Sequence, residues 1–105
     1  LIPQKPIWEL AELYGIGCVK YDENNWRKGY KWSLSLAAAM RHLSLFWNGE
    51  DRDPETGAKH AINAAWHCLA IAEFMDRFPE LDDRYTSIGQ KPNKSDNLGI
   101  GLPVC

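Results

Sequence analysis

The sequence predicts an all-α domain, a small antiparallel bundle of about three main helices followed by an irregular C-terminal tail. Three observations carry that prediction. The run from Trp32 to Trp47 is rich in leucine and alanine and holds no Gly or Pro, so helix propensity accumulates over four turns. A second run, roughly Ala58 to Phe78, is apolar on almost every face and stops at Pro79. Near the start, Ile7, Leu10, Ala11, Leu13 and Tyr14 follow Pro6 at helical spacing.

The first helix is expected to begin at Pro6, because proline suits a first turn whose N–H has no partner in any case. Gly15 and Gly17 each weaken a helix interior by about 1 kcal/mol relative to alanine, so this helix is expected to end or bend before Lys20. Tyr21 to Gly29 is dense in turn formers and reads as an ordered loop. In the second helix Leu36, Met40, Leu43 and Trp47 form the apolar stripe, and Asn48-Gly49 ends it, since glycine accepts the left-handed turn after a last helical residue. A charged loop from Glu50 to Gly57 leads into the third helix. With so little polar surface, that helix predicts burial on several sides and a homodimer, or a higher homo-oligomer, that completes the core. Residues 1–85 therefore form the helical domain, and 86–105, rich in glycine and without a helical period, form the tail.

Composition narrows the function. At 105 residues there is room for one domain with a modest core, and 45% hydrophobic with 25% charged residues is the balance of a chain that folds. Five tryptophans point to a core or an interface built on aromatics. The net charge of −2, without a basic run, argues against duplex nucleic acid as a partner. No apolar stretch reaches the length of a membrane span and no signal-peptide pattern opens the chain, so a cytoplasmic protein is expected. Cys18, Cys68 and Cys105 are widely spaced and odd in number, which indicates neither a disulfide framework nor a zinc knuckle. The sequence starts at Leu1 and not at methionine, so further residues are expected before it.

Three groups of residues carry chemistry. Glu50, Asp51, Asp53 and Glu55 place four carboxylates within six residues; such crowding is relieved either by solvent or by a divalent cation that prefers oxygen ligands. The calcium-loop pattern fails, since Ile62 stands where its bidentate glutamate belongs. On the third helix His60, Asn63 and His67 lie at i, i+3 and i+7 on one stripe. They are either a satisfied core network or, beside the acidic loop, part of a site, with Arg41 and His42 facing them from the second helix. Asn25-Trp26-Arg27-Lys28-Gly29 sets an aromatic ring beside two cations, which suits stacking a base and holding phosphates as well as anchoring a loop. Lys20 and Tyr21 lie just upstream and add a phosphate contact.

In order and spacing, Lys20-Tyr21, Asn25 to Gly29, Trp32, Leu36-Ala37-Ala38-Ala39, Arg41-His42-Leu43, Trp47, Gly49 to Gly57, His60, Ala64-Ala65-Trp66 and Pro79-Glu80-Leu81-Asp82-Asp83 resemble one family over about residues 1–85. It is the phage and prophage family of dATP/dGTP diphosphohydrolase N-terminal domains. The resemblance implies an all-α bacteriophage protein, in the host cytoplasm, related in activity to MazG-like nucleotide pyrophosphohydrolases, which cleave a nucleoside triphosphate to monophosphate and pyrophosphate. Those enzymes hold Mg²⁺ with ExxE on one helix and ExxD on the next; this chain has Glu9-Leu10-Ala11-Glu12 and, on the third helix, His60-Ala61-Ile62-Asn63. The His-Asp dipeptide of HD-domain triphosphohydrolases is absent.

The function expected on this basis is metal-dependent hydrolysis of purine deoxynucleoside triphosphates. Glu50, Asp51 and His60 are the catalytic candidates, and Glu50, Asp51, Asp53 and Glu55 would hold Mg²⁺, or alternatively Mn²⁺. Lys20, Asn25, Trp26, Arg27, Lys28, Arg41, His42, Asn63 and His67 would bind the purine nucleotide. The alternative is a non-catalytic nucleotide-binding phage protein that sequesters a host signalling nucleotide.

Overall fold

In the computed structural model the backbone is described for residues 1–21 and 25–85, and side chains for 1–15 and 27–85. The expected tail, 86–105, lies outside them. The element order is α1 (Gln4–Tyr21), a 3-10 turn (Asn25–Lys28), α2 (Trp32–Trp47), α3 (His60–Arg77) and a second 3-10 turn (Pro79–Leu81). Among the described residues there is no strand, and an isolated antiparallel bridge joins Arg52 and Lys59. Over the described residues the chain is all-α, with three α-helices.

Helix α1 departs from expectation at both ends. It starts two residues before Pro6 and runs through Gly15 and Gly17 to Tyr21. The weak helix propensity of the two glycines is overridden by packing, since Leu13 is buried against Ile62, Trp66 and Ala70 of α3, with Leu10 and Tyr14 beside it. The Tyr14 ring stacks on Trp66 at 5.0 Å, and its hydroxyl donates to the Trp66 carbonyl.

Helix α2 has the predicted limits, Trp32 to Trp47. Asn48 N–H donates to the Ser44 carbonyl, Gly49 N–H to that of Phe46, and Gly49 adopts φ +104°. The predicted apolar stripe, however, faces outward. Leu36, Met40 and Leu43 are exposed and Trp47 is 84% exposed, whereas the buried face is Trp32, Ser35, Ala38, Ala39 and His42. Small and polar residues win the inner position because the facing surface of α3 carries three side chains, His60, Asn63 and His67, that need polar partners.

Helix α3 is the element on which both α1 and α2 chiefly pack. Links His42–His60, Ser35–His67 and Trp32–Phe78 run in opposite chain order, so α2 and α3 are antiparallel. One apolar cluster lies between α1 and α3. A second, of Tyr30, Trp32 and Phe74 with Leu34, Phe78 and Leu81, closes the far end of the α2–α3 pair. Gly29 belongs there for a steric reason. It adopts φ +80°, and an added Cβ would sit 3.0 Å from the Phe78 ring. Between the two clusters runs a buried polar seam, and the candidate site grows out of it.

Candidate functional site

The loop between α2 and α3 is built by its own backbone. Asp53 N–H donates to the Ala58 carbonyl at 2.8 Å and Gly57 N–H to the Asp53 carbonyl at 2.7 Å; Gly57 supplies the positive φ, +79°, that the reversal needs. The Arg52–Lys59 bridge and a hydrogen bond from His60 N–H to the Asp51 carbonyl at 2.9 Å close the two ends together. Glu50 leaves α2 and His60 begins α3, ten positions apart in sequence, and this closure sets their side chains in contact. His60 Nε2 lies 2.7 Å from Glu50 Oε1.

Behind that contact the seam continues inward. His60 Nδ1 meets His42 Nδ1 at 2.8 Å, and Arg41 Nη2 lies 3.4 Å from His42 Nε2. A second polar chain crosses the same interface: Tyr30 Oη to Ser35 Oγ at 2.7 Å, and Ser35 Oγ to His67 Nδ1 at 2.9 Å. His42 and His67 are stacked with centroids 6.1 Å apart. Ser35, His42, His60, Asn63 and His67 are fully buried, while Glu50 keeps 47% of its side chain exposed and Arg41 is exposed. The seam therefore reaches the surface through Glu50 at one point and Arg41 at the other.

This burial changes how the sequence-predicted residues are read. His42, Asn63 and His67, expected as nucleotide contacts, lie inside the helix interface with no surface to offer a ligand. His60, expected as catalytic, reaches solvent only through Glu50. Asn63 Nδ2 donates to the Lys59 carbonyl at 3.1 Å, and its Oδ1 is a buried acceptor without a partner among the described residues. Tyr30 and Ser35 were not anticipated. Ser35, Ala38, Ala39 and His42 share one face at helical spacing, and that small-residue face ending in a histidine was the available signal.

The four loop carboxylates do not converge. Asp53 is 9% exposed, and its Oδ1 accepts the Glu55 N–H at 2.9 Å, an Asx turn that commits the carboxylate to shaping the loop. Among the described residues no three of His, Cys, Asp or Glu are grouped as one metal ion requires. The set Glu50, Asp51, Asp53 and Glu55 thus does not fit a closed metal site, and Asp53 is its clearest departure. Glu9, of the ExxE on α1, pairs with Lys59 at 3.2 Å. Glu9, Glu12, Arg52 and Lys59 line a cavity of about 140 Å³ beside the same loop.

Of the expected phosphate-binding cations, Arg27 and Lys28 are exposed at the end of the 3-10 turn and Arg41 is exposed on α2. The side chains of Lys20, Asn25 and Trp26 lie outside the described residues, as do Tyr21 and Cys18. Cys68 is an exposed free thiol. No helix among the described residues is long and apolar enough to cross a membrane.

A family model described as dATP/dGTP diphosphohydrolase, N-terminal, matches residues 1–84. A protein of Salmonella phage PMBT28 named dATP/dGTP diphosphohydrolase is 37% identical over 96 residues, which covers 91% of this chain and 32% of the relative. The chain thus spans about a third of that relative's length. No solved structure matches.

Proposed function

Because the chain belongs to the dATP/dGTP diphosphohydrolase N-terminal family, we propose that it serves hydrolysis of purine deoxynucleoside triphosphates to monophosphate and pyrophosphate, with Glu50 as the residue that meets the reacting end of the nucleotide. The observation that carries this reading is the Glu50–His60 contact: a half-exposed carboxylate held at one oxygen by a buried imidazole, at the mouth of a polar seam. Water attack on a phosphoryl group needs positioning and charge stabilisation more than covalent chemistry. Glu50 Oε2 has no partner among the described residues, so it is available to orient a water. Asp51, exposed beside it, is the second candidate. Arg27, Lys28 and Lys20 supply cations for the phosphates, and Asn25 and Trp26 the contact to the base. His42, His60 and His67 act from behind.

Mg²⁺, or Mn²⁺, enters this reading with the triphosphate, whose charge a divalent cation neutralises. The same reading includes a homodimer, because Leu36, Met40, Leu43 and Trp47 leave one whole face of α2 apolar and open.

A second reading, a non-catalytic nucleotide-binding module, is favoured by one observation, the lack of a three-ligand metal group among the described residues. Incubating the purified protein with each dNTP, with and without Mg²⁺, and separating the products decides between them. Pyrophosphate release from dATP or dGTP supports hydrolysis. Intact nucleotide that remains bound supports the module.

A further inference from the structure

The buried histidine pair has a definite hydrogen-bond polarity, and it can be read from its two ends. An ionised glutamate only accepts, so at the Glu50 end His60 donates from Nε2. A neutral imidazole carries one N–H, so His60 Nδ1 is then an acceptor, and the N–H in the 2.8 Å contact belongs to His42 Nδ1. That leaves His42 Nε2 as an acceptor. The Arg41 guanidinium, which has donors only, lies 3.4 Å from it. Every link is thus one donor against one acceptor, from Arg41 through His42 and His60 to Glu50. The reverse arrangement would set His42 Nε2–H against a guanidinium N–H.

We propose that Arg41 is a positioning residue: by donating to His42 Nε2 it fixes the tautomers of the His42–His60 pair, so that His60 offers Nε2–H to Glu50 and orients its carboxylate. The proposal rests on the reading above only in taking Glu50 as the group that faces the nucleotide. Arg41 accordingly acts through two imidazoles and not as a phosphate ligand. Its own α2 position, one residue from His42, makes the contact local, while the effect is delivered across the helix interface to the start of α3. Proton position in buried imidazoles is set by the partner on the other nitrogen. Here that partner is a permanent cation on the surface.

Long-range ¹H–¹⁵N correlation spectra of the labelled chain near neutral pH report the protonated nitrogen of each imidazole without any nucleotide. The expected result is His42 protonated at Nδ1 and His60 at Nε2. In Arg41→Met a second His42 tautomer should appear and the His60 Nε2–H resonance should move, whereas Arg41→Lys, which keeps a donor, should retain the wild-type pattern. His42 protonated at Nε2 in the wild type, or unchanged imidazole signals in Arg41→Met, would overturn the proposal. In hydrolysis assays Arg41→Met should lower kcat by about 10- to 100-fold, the scale on which outer positioning partners act, with partial recovery in Arg41→Lys. A rise in KM at unchanged kcat would make Arg41 a phosphate contact and overturn the positioning role. If the wild type hydrolyses no nucleotide, the reading of function fails while the spectra still decide the tautomers.

Discussion

Asp83 caps helix α2 across fifty residues of sequence: its Oδ1 accepts the Ser33 backbone N–H at 3.0 Å, and its Oδ2 accepts the Ser33 hydroxyl proton. Lys31, the residue preceding the helix, provides no side-chain cap, so a carboxylate from the far end of the domain satisfies the orphan donor and complements the positive end of the helix dipole. Replacing Asp83 by alanine should therefore lower stability by about 1 kcal/mol, with Asp83→Asn intermediate because it keeps an acceptor and loses the charge. Urea denaturation of the three proteins measures this, and an Asp83→Ala midpoint equal to wild type would remove the cap from the account.

Glu50→Gln keeps an oxygen acceptor for His60 but removes the carboxylate. Stability should stay within about 0.5 kcal/mol of wild type, while hydrolysis of dATP and dGTP should fall by about 100-fold or more. Product analysis alongside a melting curve separates the two effects. Retained hydrolysis in a well-folded Glu50→Gln would take Glu50 out of the reaction.

Asp53 is the residue on which the metal question turns. Its Oδ1 accepts the Glu55 N–H and its backbone makes two of the loop's short hydrogen bonds. Asp53→Asn preserves that acceptor, so any Mg²⁺-induced rise in melting temperature should persist in it. Asp53→Ala should destabilise by about 1 kcal/mol. A thermal-shift titration with Mg²⁺ in which Asp53→Asn alone abolishes the metal response would restore Asp53 as a ligand.

Tyr14 gives a pH signature. Burial between α1 and α3, with lesser contributions from Tyr30 and Glu73, pushes its hydroxyl far above the ordinary tyrosine value. The folded state holds this proton more tightly than the unfolded chain. The corresponding stability is complete below about pH 10 and is lost as pH rises further. An ultraviolet phenolate titration should show at least one of the four tyrosines failing to ionise while the protein stays folded, and Tyr14→Phe should lower the number of unionised tyrosines by one.

The open face of α2 predicts association. Light scattering at micromolar concentration should give a dimer mass, and Met40→Lys combined with Trp47→Lys should give a monomer with unchanged helix content, since both side chains already lie in solvent in the single chain. A wild-type monomer mass would refute the dimer.

The fold was legible in the sequence where propensity and stop signals agree, as in α2, whose limits follow from its uninterrupted Leu/Ala run and from Asn48-Gly49. Its orientation was not. Leu36, Met40, Leu43 and Trp47 are the large apolar residues, and size alone assigns them to the core, yet Ser35 and His42 take that place because His67 and His60 oppose them. In α1 the glycines signalled a stop that packing of Leu13 and Tyr14 overrides. At the site, the acidic loop and both histidine-bearing helices were visible. The pairing of Glu50 with His60 was not, because it depends on backbone hydrogen bonds within the loop, from Asp53 to Ala58 and from His60 to Asp51, that no spacing rule encodes.

The long-range cap also orders events during synthesis. Residues 78–83, which fill the space over Gly29 and Trp32 and close the first turn of α2, are made after all three helices. Until Asp83 emerges, α2 is held by packing and by its seam hydrogen bonds to α3, and its leading turn lacks its side-chain cap. A chain terminated before Asp83 would carry α1, α2, α3 and every seam residue and still lack the acceptor for the Ser33 N–H, so the first turn of α2 would fray.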